Sequence, residues 1–133
     1  SGIKAYMDSG IEGAQTHGYV TTLMARRRYI PELHAKIHAQ REFGKRTAMN
    51  APLQGSAADI IKKAMIDLDH ALKDANFDAE IILQIHDELV LSVAPDDLEG
   101  VKKIVRQTME SVVSLDVPLT VNMAHGSHLF DAK

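Results

Sequence analysis

The 133-residue sequence has no cysteine, only six tyrosines and phenylalanines together, and only four prolines. Without cysteine there is no disulfide framework, no thiolate nucleophile and no zinc site built on sulfur. No apolar run approaches the roughly 20 residues needed to cross a bilayer. Residues 1–20 interleave Lys4, Asp8 and Glu12 with glycines where a secretion signal would carry an apolar core. There is no internal repeat, low-complexity tract or linker. One domain's worth of chain, without a membrane partner and at home in the cytoplasm, is the expectation.

The formal net charge of −3 conceals a strong asymmetry. Residues 25–50 carry seven basic side chains (Arg26, Arg27, Arg28, Lys36, Arg41, Lys45, Arg46) against Glu32 and Glu42, a net +5. Residues 74–116 carry ten acidic side chains against Lys102, Lys103 and Arg106, a net −7. The first segment suits a polyanion, the second does not.

Apolar periodicity orders the chain. Ile3, Tyr6, Met7, Ile11 and Ala14 have helical spacing, and Gly18 ends that helix. Strands follow at 19–23 and 26–30, before Pro31. Residues 38–50 read as a helix that Pro52 bends or restarts, because proline lacks the N–H donor and clashes with the preceding turn. Ser56 and Asp59 then pair as a capping box for the strongest helix, whose buried stripe is Ile60, Ile61, Ala64, Met65, Leu68, Ala71 and Leu72. A hairpin over 79–93, a helix from Pro95 with its stripe extending to Val113, and a last strand at 119–123 complete the order. The fold class is α+β, an antiparallel sheet with packed helices and a central β-hairpin.

That hairpin is the most informative segment. Ile81-Ile82-Leu83-Gln84-Ile85 and Leu89-Val90-Leu91-Ser92-Val93 flank His86-Asp87-Glu88, yet no Gly or Asn-Gly marks the turn. A turn that forgoes the favoured residues for three chemically capable ones is a candidate functional site. Asp87 is a suitable hard-oxygen ligand for Mg²⁺, which takes few carboxylates and leaves room for substrate phosphates. A solvated charged turn is the plain alternative. Arg46, Asn50 and Gln54, at i, i+4 and i+8, share one helix face if the helix survives Pro52. All three donate hydrogen bonds, which suits the acceptors that every base pair shows in the minor groove. Arg26, Arg27 and Arg28 offer phosphate contacts, but strand alternation sends Arg27 to the opposite face, so at least one serves structure or solvent. His34 with His38 and His125 with His128 have metal-like spacing but no third ligand.

These residues together resemble the family A DNA polymerases of bacteria. The similarity runs through Gly18-Tyr19-Val20-Thr21-Thr22-Leu23 and Arg26-Arg27-Arg28-Tyr29-Ile30-Pro31-Glu32. It continues in Arg46-Thr47-Ala48-Met49-Asn50-Ala51-Pro52-Leu53-Gln54-Gly55-Ser56-Ala57-Ala58-Asp59-Ile60-Ile61-Lys62, Gln84-Ile85-His86-Asp87-Glu88-Leu89-Val90, Asp116-Val117-Pro118-Leu119 and Asp131-Ala132-Lys133. The chain departs from the family pattern at Ile37, Gly44-Lys45 and Leu129.

The resemblance implies the C-terminal palm region with the trailing edge of the fingers, a single partial domain. It makes Asp87 a catalytic metal ligand, Glu88 a lesser acidic neighbour, and His86 a contact to the primer terminus. It makes Arg46, Asn50 and Gln54 minor-groove readers and Arg41 a contact to the primer–template backbone. It implies a two-Mg²⁺ site, with deoxynucleoside triphosphates and primer–template DNA as partners, acting in replication and repair at the nucleoid. The family's other metal-binding Asp and its nucleotide-gripping fingers helix have no counterpart in these residues. The chain is therefore expected to be an inactive part needing upstream fingers, thumb and palm segments, and to self-associate through an uncovered sheet edge. The rival from another class is a non-catalytic DNA-binding module using the basic 25–50 segment.

Overall fold

The computed structural model describes residues 2–132; Ser1, and Lys133 of the family-like Asp131-Ala132-Lys133, lie outside the described residues. The chain divides into two compact units, residues 1–59 and 60–133.

In the first unit the expected opening helix forms as α1 (Gly2–His17). It ends at Gly18, whose φ of +79° suits a residue without Cβ. Strands β1 (Tyr19–Thr21) and β2 (Arg27–Tyr29) pair antiparallel in the register Tyr19↔Tyr29, Val20↔Arg28, Thr21↔Arg27. A 3₁₀ turn at Pro31–His34 leads to α2 (His38–Asp74), whose first 22 residues belong to this unit. Ala14, Val20, Ile30, Leu33 and Ala48 form the core, with Ala51 packed against it.

The expected break at Pro52 does not occur: α2 runs unbroken over 37 residues with Pro52 inside it. Proline removes one backbone bond and strains the preceding turn, at a cost of roughly 3 kcal/mol or more. Tertiary contacts hold the helix on both sides of it. Ala48 and Ala51 pack into the core before Pro52, and the β1–β2 turn binds Gly55, Ser56 and Asp59 after it. The capping box is therefore also corrected. Ser56 lies inside α2 and its Oγ accepts the Leu23 N–H at 2.8 Å, while Asp59 binds Arg26 and Thr22.

In the second unit α2 continues to Asp74 and supplies Leu68 and Leu72, both almost fully buried. Strands β3 (Ala79–Ile85) and β4 (Glu88–Val93) form the expected antiparallel hairpin, and α3 (Leu98–Glu110) covers it with Val101 and Val105. Burying side chains of this kind contributes about 1.5–3 kcal/mol each. The register shifts between Ile81 and Leu83, leaving Ile82 as a bulge. Ala79 and Ile81 pack on the core from β3, and Leu89, Leu91 and Val93 from β4. Past the bulge, Gln84 stands opposite Leu89, so the alternation inverts and Leu83 and Ile85 turn outward. Ile82, Leu83 and Ile85 form an exposed apolar face.

Two expectations fail here. Pro95–Asp97 is a 3₁₀ turn rather than the first turn of α3, and Asp97 Oδ2 accepts the Asp78 N–H at 2.9 Å. The helix ends at Glu110, before the buried Val112. Residues 119–123 form no strand among the described residues. They find no ladder partner, and are held by Met123 packing on the core and by Glu110 Oε1, which accepts the Val121 N–H at 3.2 Å. Among the described residues the antiparallel component is thus two separate hairpins. Among the described residues, no helix is long and apolar enough to cross a membrane.

Two helical glycines separate local propensity from packing. A Cβ on Gly10 meets nothing within 4 Å, whereas one on Gly55 would lie 2.5 Å from Thr22 Cγ2. Gly10→Ala should raise stability by roughly 0.5–1 kcal/mol through helix propensity. Gly55→Ala should lower it by about 1–3 kcal/mol through overpacking. Urea unfolding of both variants checks the opposite signs.

Candidate functional site: a basic groove and a strained acidic turn

Because α2 does not break, Arg46, Asn50 and Gln54 do share one face, and all three are exposed. They line a groove of about 330 Å³ together with Thr22, Arg26, Arg27, Arg28, Phe43, Thr47, Ala51 and Gly55. Its long donors come from α2 on one side and from the β1–β2 hairpin on the other.

The three consecutive arginines have three different fates. Arg26 is fixed: its Nε donates to Asp59 Oδ1 at 2.9 Å and its Nη2 to the Gly55 carbonyl at 3.3 Å. The Arg27 guanidinium lies 4.5 Å from the Tyr19 ring centroid, and a hydrogen bond with Tyr29 raises its pKa beyond its already high ordinary value. Arg28 forms no ion pair among the described residues and is exposed in the groove wall. At the start of α2, Arg41 Nη1 donates to the carbonyls of Ala35 and Lys36 at 2.9 and 2.8 Å, clasping the preceding loop. Lys45 donates to Glu42 Oε1 at 2.9 Å, and that bond holds the Glu42 carboxyl below its ordinary range.

The acidic turn lies in the other unit. His86 and Asp87 form a two-residue loop closed by the Ile85↔Glu88 pair, and His86, Asp87 and Glu88 are all exposed. His86 has φ of +53°, in the left-handed region, at a loop position where primed hairpin turns normally place Gly. Gln84 Nε2 donates to the His86 carbonyl at 2.8 Å and braces this conformation. Such strain in a non-glycine residue concentrates at functional sites. Asp87 and Glu88 form no ion pair among the described residues, so both carboxylates face solvent uncommitted.

The donor set suits Mg²⁺, which takes hard oxygens from one or two carboxylates and fills its remaining positions with water or phosphate oxygens. Among the described residues no three His, Asp or Glu side chains converge as a metal cluster. His38 instead lies 3.8 Å from Glu42, and His128 3.1 Å from Asp131. Sequence reasoning missed the roles of Asp59, Thr22 and Gln84. The first two are joined across 37 positions, which no local pattern reveals.

A family model described as DNA polymerase family A matches residues 1–131. DNA polymerase I of Bacillus subtilis (strain 168) is 52% identical over 132 residues, covering 99% of this chain and 15% of that protein. DNA polymerase I of Geobacillus stearothermophilus is 48% identical over the same share of both. Among solved structures, the POL domain of Pol1 from M. smegmatis, in complex with DNA primer-template and dNTP, superposes with a TM-score of 0.94 at 43% identity. That match covers 97% of this chain and 23% of the other. The chain thus spans about 15% of the length of the curated relatives.

The turn yields a direct test. His86→Val should lower stability by about 1–2 kcal/mol, since a β-branched residue is a poor occupant of φ near +53°. His86→Gly should leave stability nearly unchanged, because glycine adopts that conformation freely. Thermal unfolding of the two variants separates them.

Proposed function

Because the chain belongs to DNA polymerase family A, we propose that it forms part of the palm, with the trailing edge of the fingers, of a template-directed DNA polymerase acting in replication and repair. The observation that carries this reading is the strained two-residue turn offering Asp87 and Glu88, uncommitted, at the tip of a packed hairpin. Its partners are then primer–template DNA and deoxynucleoside triphosphates. Its place is the bacterial cytoplasm, at the nucleoid.

Asp87 would hold Mg²⁺, with Glu88 beside it in a lesser role. When bound, two such ions stabilise the attacking and leaving oxygens of the nucleotidyl transfer. Asp87 would contribute one carboxylate to the set that holds them. His86, whose backbone carbonyl accepts from Gln84, would contact the primer terminus. Arg46, Asn50 and Gln54 read minor-groove acceptors, which are placed alike in all well-formed base pairs. Arg28 and the free side of the Arg41 guanidinium contact backbone phosphates, a role suited to arginine's planar fork.

In the intact polymerase, Asp87→Asn should lower single-turnover incorporation by at least about 10³-fold while DNA affinity stays within about threefold. The amide keeps the side chain's shape but not its charge, so the loss falls on the transition state. Near-normal turnover in that variant would refute the site.

The 133-residue chain alone should bind duplex DNA weakly and fail to extend a primer. With Arg26 paired to Asp59, Lys45 paired to Glu42 and Arg46 turned to the bases, Arg27, Arg28, Lys36 and Arg41 are left to face phosphate. Affinity should then fall on the order of 10²-fold between about 50 and 200 mM salt. The exposed face of Ile82, Leu83 and Ile85, with unpaired strand edges beside it, favours self-association of the isolated chain. Fluorescence anisotropy, a primer-extension gel and light scattering check the three outcomes.

A further inference from the structure

Among the described residues, Asp59 is the one buried charged side chain, 6% exposed. It neither binds metal nor faces the groove's ligand in the scheme above. We propose that Asp59 is a positioning residue for base-pair reading: through Arg26 and Thr22 it holds the β1–β2 turn against α2 and fixes the groove wall opposite Asn50 and Gln54. This inference rests on the polymerase reading.

The attachment is dense and local. Thr22 Oγ1 donates to Asp59 Oδ2, and Arg26 Nε donates to Asp59 Oδ1 at 2.9 Å, so both carboxylate oxygens are engaged. Arg26 Nη2 reaches the Gly55 carbonyl at 3.3 Å, and the Leu23 N–H reaches Ser56 Oγ at 2.8 Å. Thr22 Oγ1 also accepts the Arg26 N–H at 3.2 Å, tying the two ends of the turn together. These bonds to α2 all fall within the five residues that follow Gln54. The turn needs such anchoring, because Ala25 adopts φ of +62°, which a residue with Cβ rarely holds.

The chain leaves this turn directly into β2, and Arg27 and Arg28 line the groove together with Arg46, Asn50 and Gln54. Loss of the Asp59 carboxylate removes the acceptor that both Thr22 and Arg26 share. It frees the turn and leaves Arg26 without its counter-charge beside the groove. The wall carrying Arg28 then loses its register with the α2 donors. Such a change impairs discrimination between well-formed and distorted pairs more than it impairs incorporation opposite a correct pair.

The test measures extension of matched and mismatched primer termini by the intact polymerase and its variants. Asp59→Asn and Arg26→Gln should each lower the matched-to-mismatched ratio of kcat/KM by about tenfold, a size typical of residues sharing one network. Turnover on the matched primer should stay within about threefold of wild type for Asp59→Asn. Arg26→Lys, which keeps the charge, should recover part of the ratio lost in Arg26→Gln. Asp59→Asn combined with Gln54→Ala should be no worse than Gln54→Ala alone, because both remove the same reading step. If Asp59→Asn does not fold, Arg26→Gln and Thr22→Val, at half-buried or exposed positions, carry the test. An unchanged ratio in these variants, or multiplicative losses in the double variant, overturns the positioning role while Gln54→Ala still reports reading by the groove. An unchanged ratio in Gln54→Ala overturns the reading function itself, and the positioning role with it.

Discussion

The bonds from Thr22 and Arg26 to the buried carboxylate of Asp59 are what the basic unit depends on. They join the strained β1–β2 turn to the segment of α2 that Pro52 would otherwise be expected to loosen. On the other side of the proline, Ala48 and Ala51 are held by the core. Pinned at both ends, the helix stays continuous, and only a continuous helix places Arg46, Asn50 and Gln54 on one face. The close approach of Gly55 to Thr22 belongs to the same junction. A buried carboxylate with both oxygens hydrogen-bonded is tolerated, whereas one stripped of its partners is strongly destabilising.

The acidic hairpin follows a different logic. Its inner face packs through Leu89, Leu91 and Val93 against Leu68, Leu72 and the α3 residues Val101 and Val105. The bulge at Ile82 inverts the alternation beyond Ile81, and Gln84 holds the His86 carbonyl. Two departures from ideal strand geometry thus lie within five residues of Asp87. A sequence optimised for turn stability would place Gly at position 86. The retained His is consistent with a turn whose side chains matter more than its strain.

Much of this was legible from residue order. The 3.6-residue stripe of Leu68 and Leu72, the two apolar runs around His86-Asp87-Glu88, and Gly18 after α1 are local signals, and each produced the expected element. What stayed hidden depends on partners distant in sequence. Pro52 reads as a breaker because its cost is local while its compensation comes from Thr22, Arg26 and the core. Ser56 and Asp59 mimic a capping box, since the same side chains that cap a helix can also receive a turn docked on its flank. Val121 and Met123 have strand-like spacing, but a strand exists only where a neighbour offers a ladder. For the site, the Arg46–Asn50–Gln54 face and the exposed triplet were both legible. The division of labour among Arg26, Arg27 and Arg28 was not, because it depends on Asp59 and Tyr19.

The central claim is that Asp87 is a metal ligand of nucleotidyl transfer. It is tested most directly by Asp87→Cys in the intact polymerase, assayed for single-nucleotide incorporation with Mg²⁺ and then with the softer Mn²⁺ and Cd²⁺. Thiolate is a poor ligand for Mg²⁺ and a better one for softer cations. The account predicts negligible incorporation with Mg²⁺ and a measurable return with Mn²⁺ or Cd²⁺. Undiminished Mg²⁺-dependent incorporation by Asp87→Cys would contradict it.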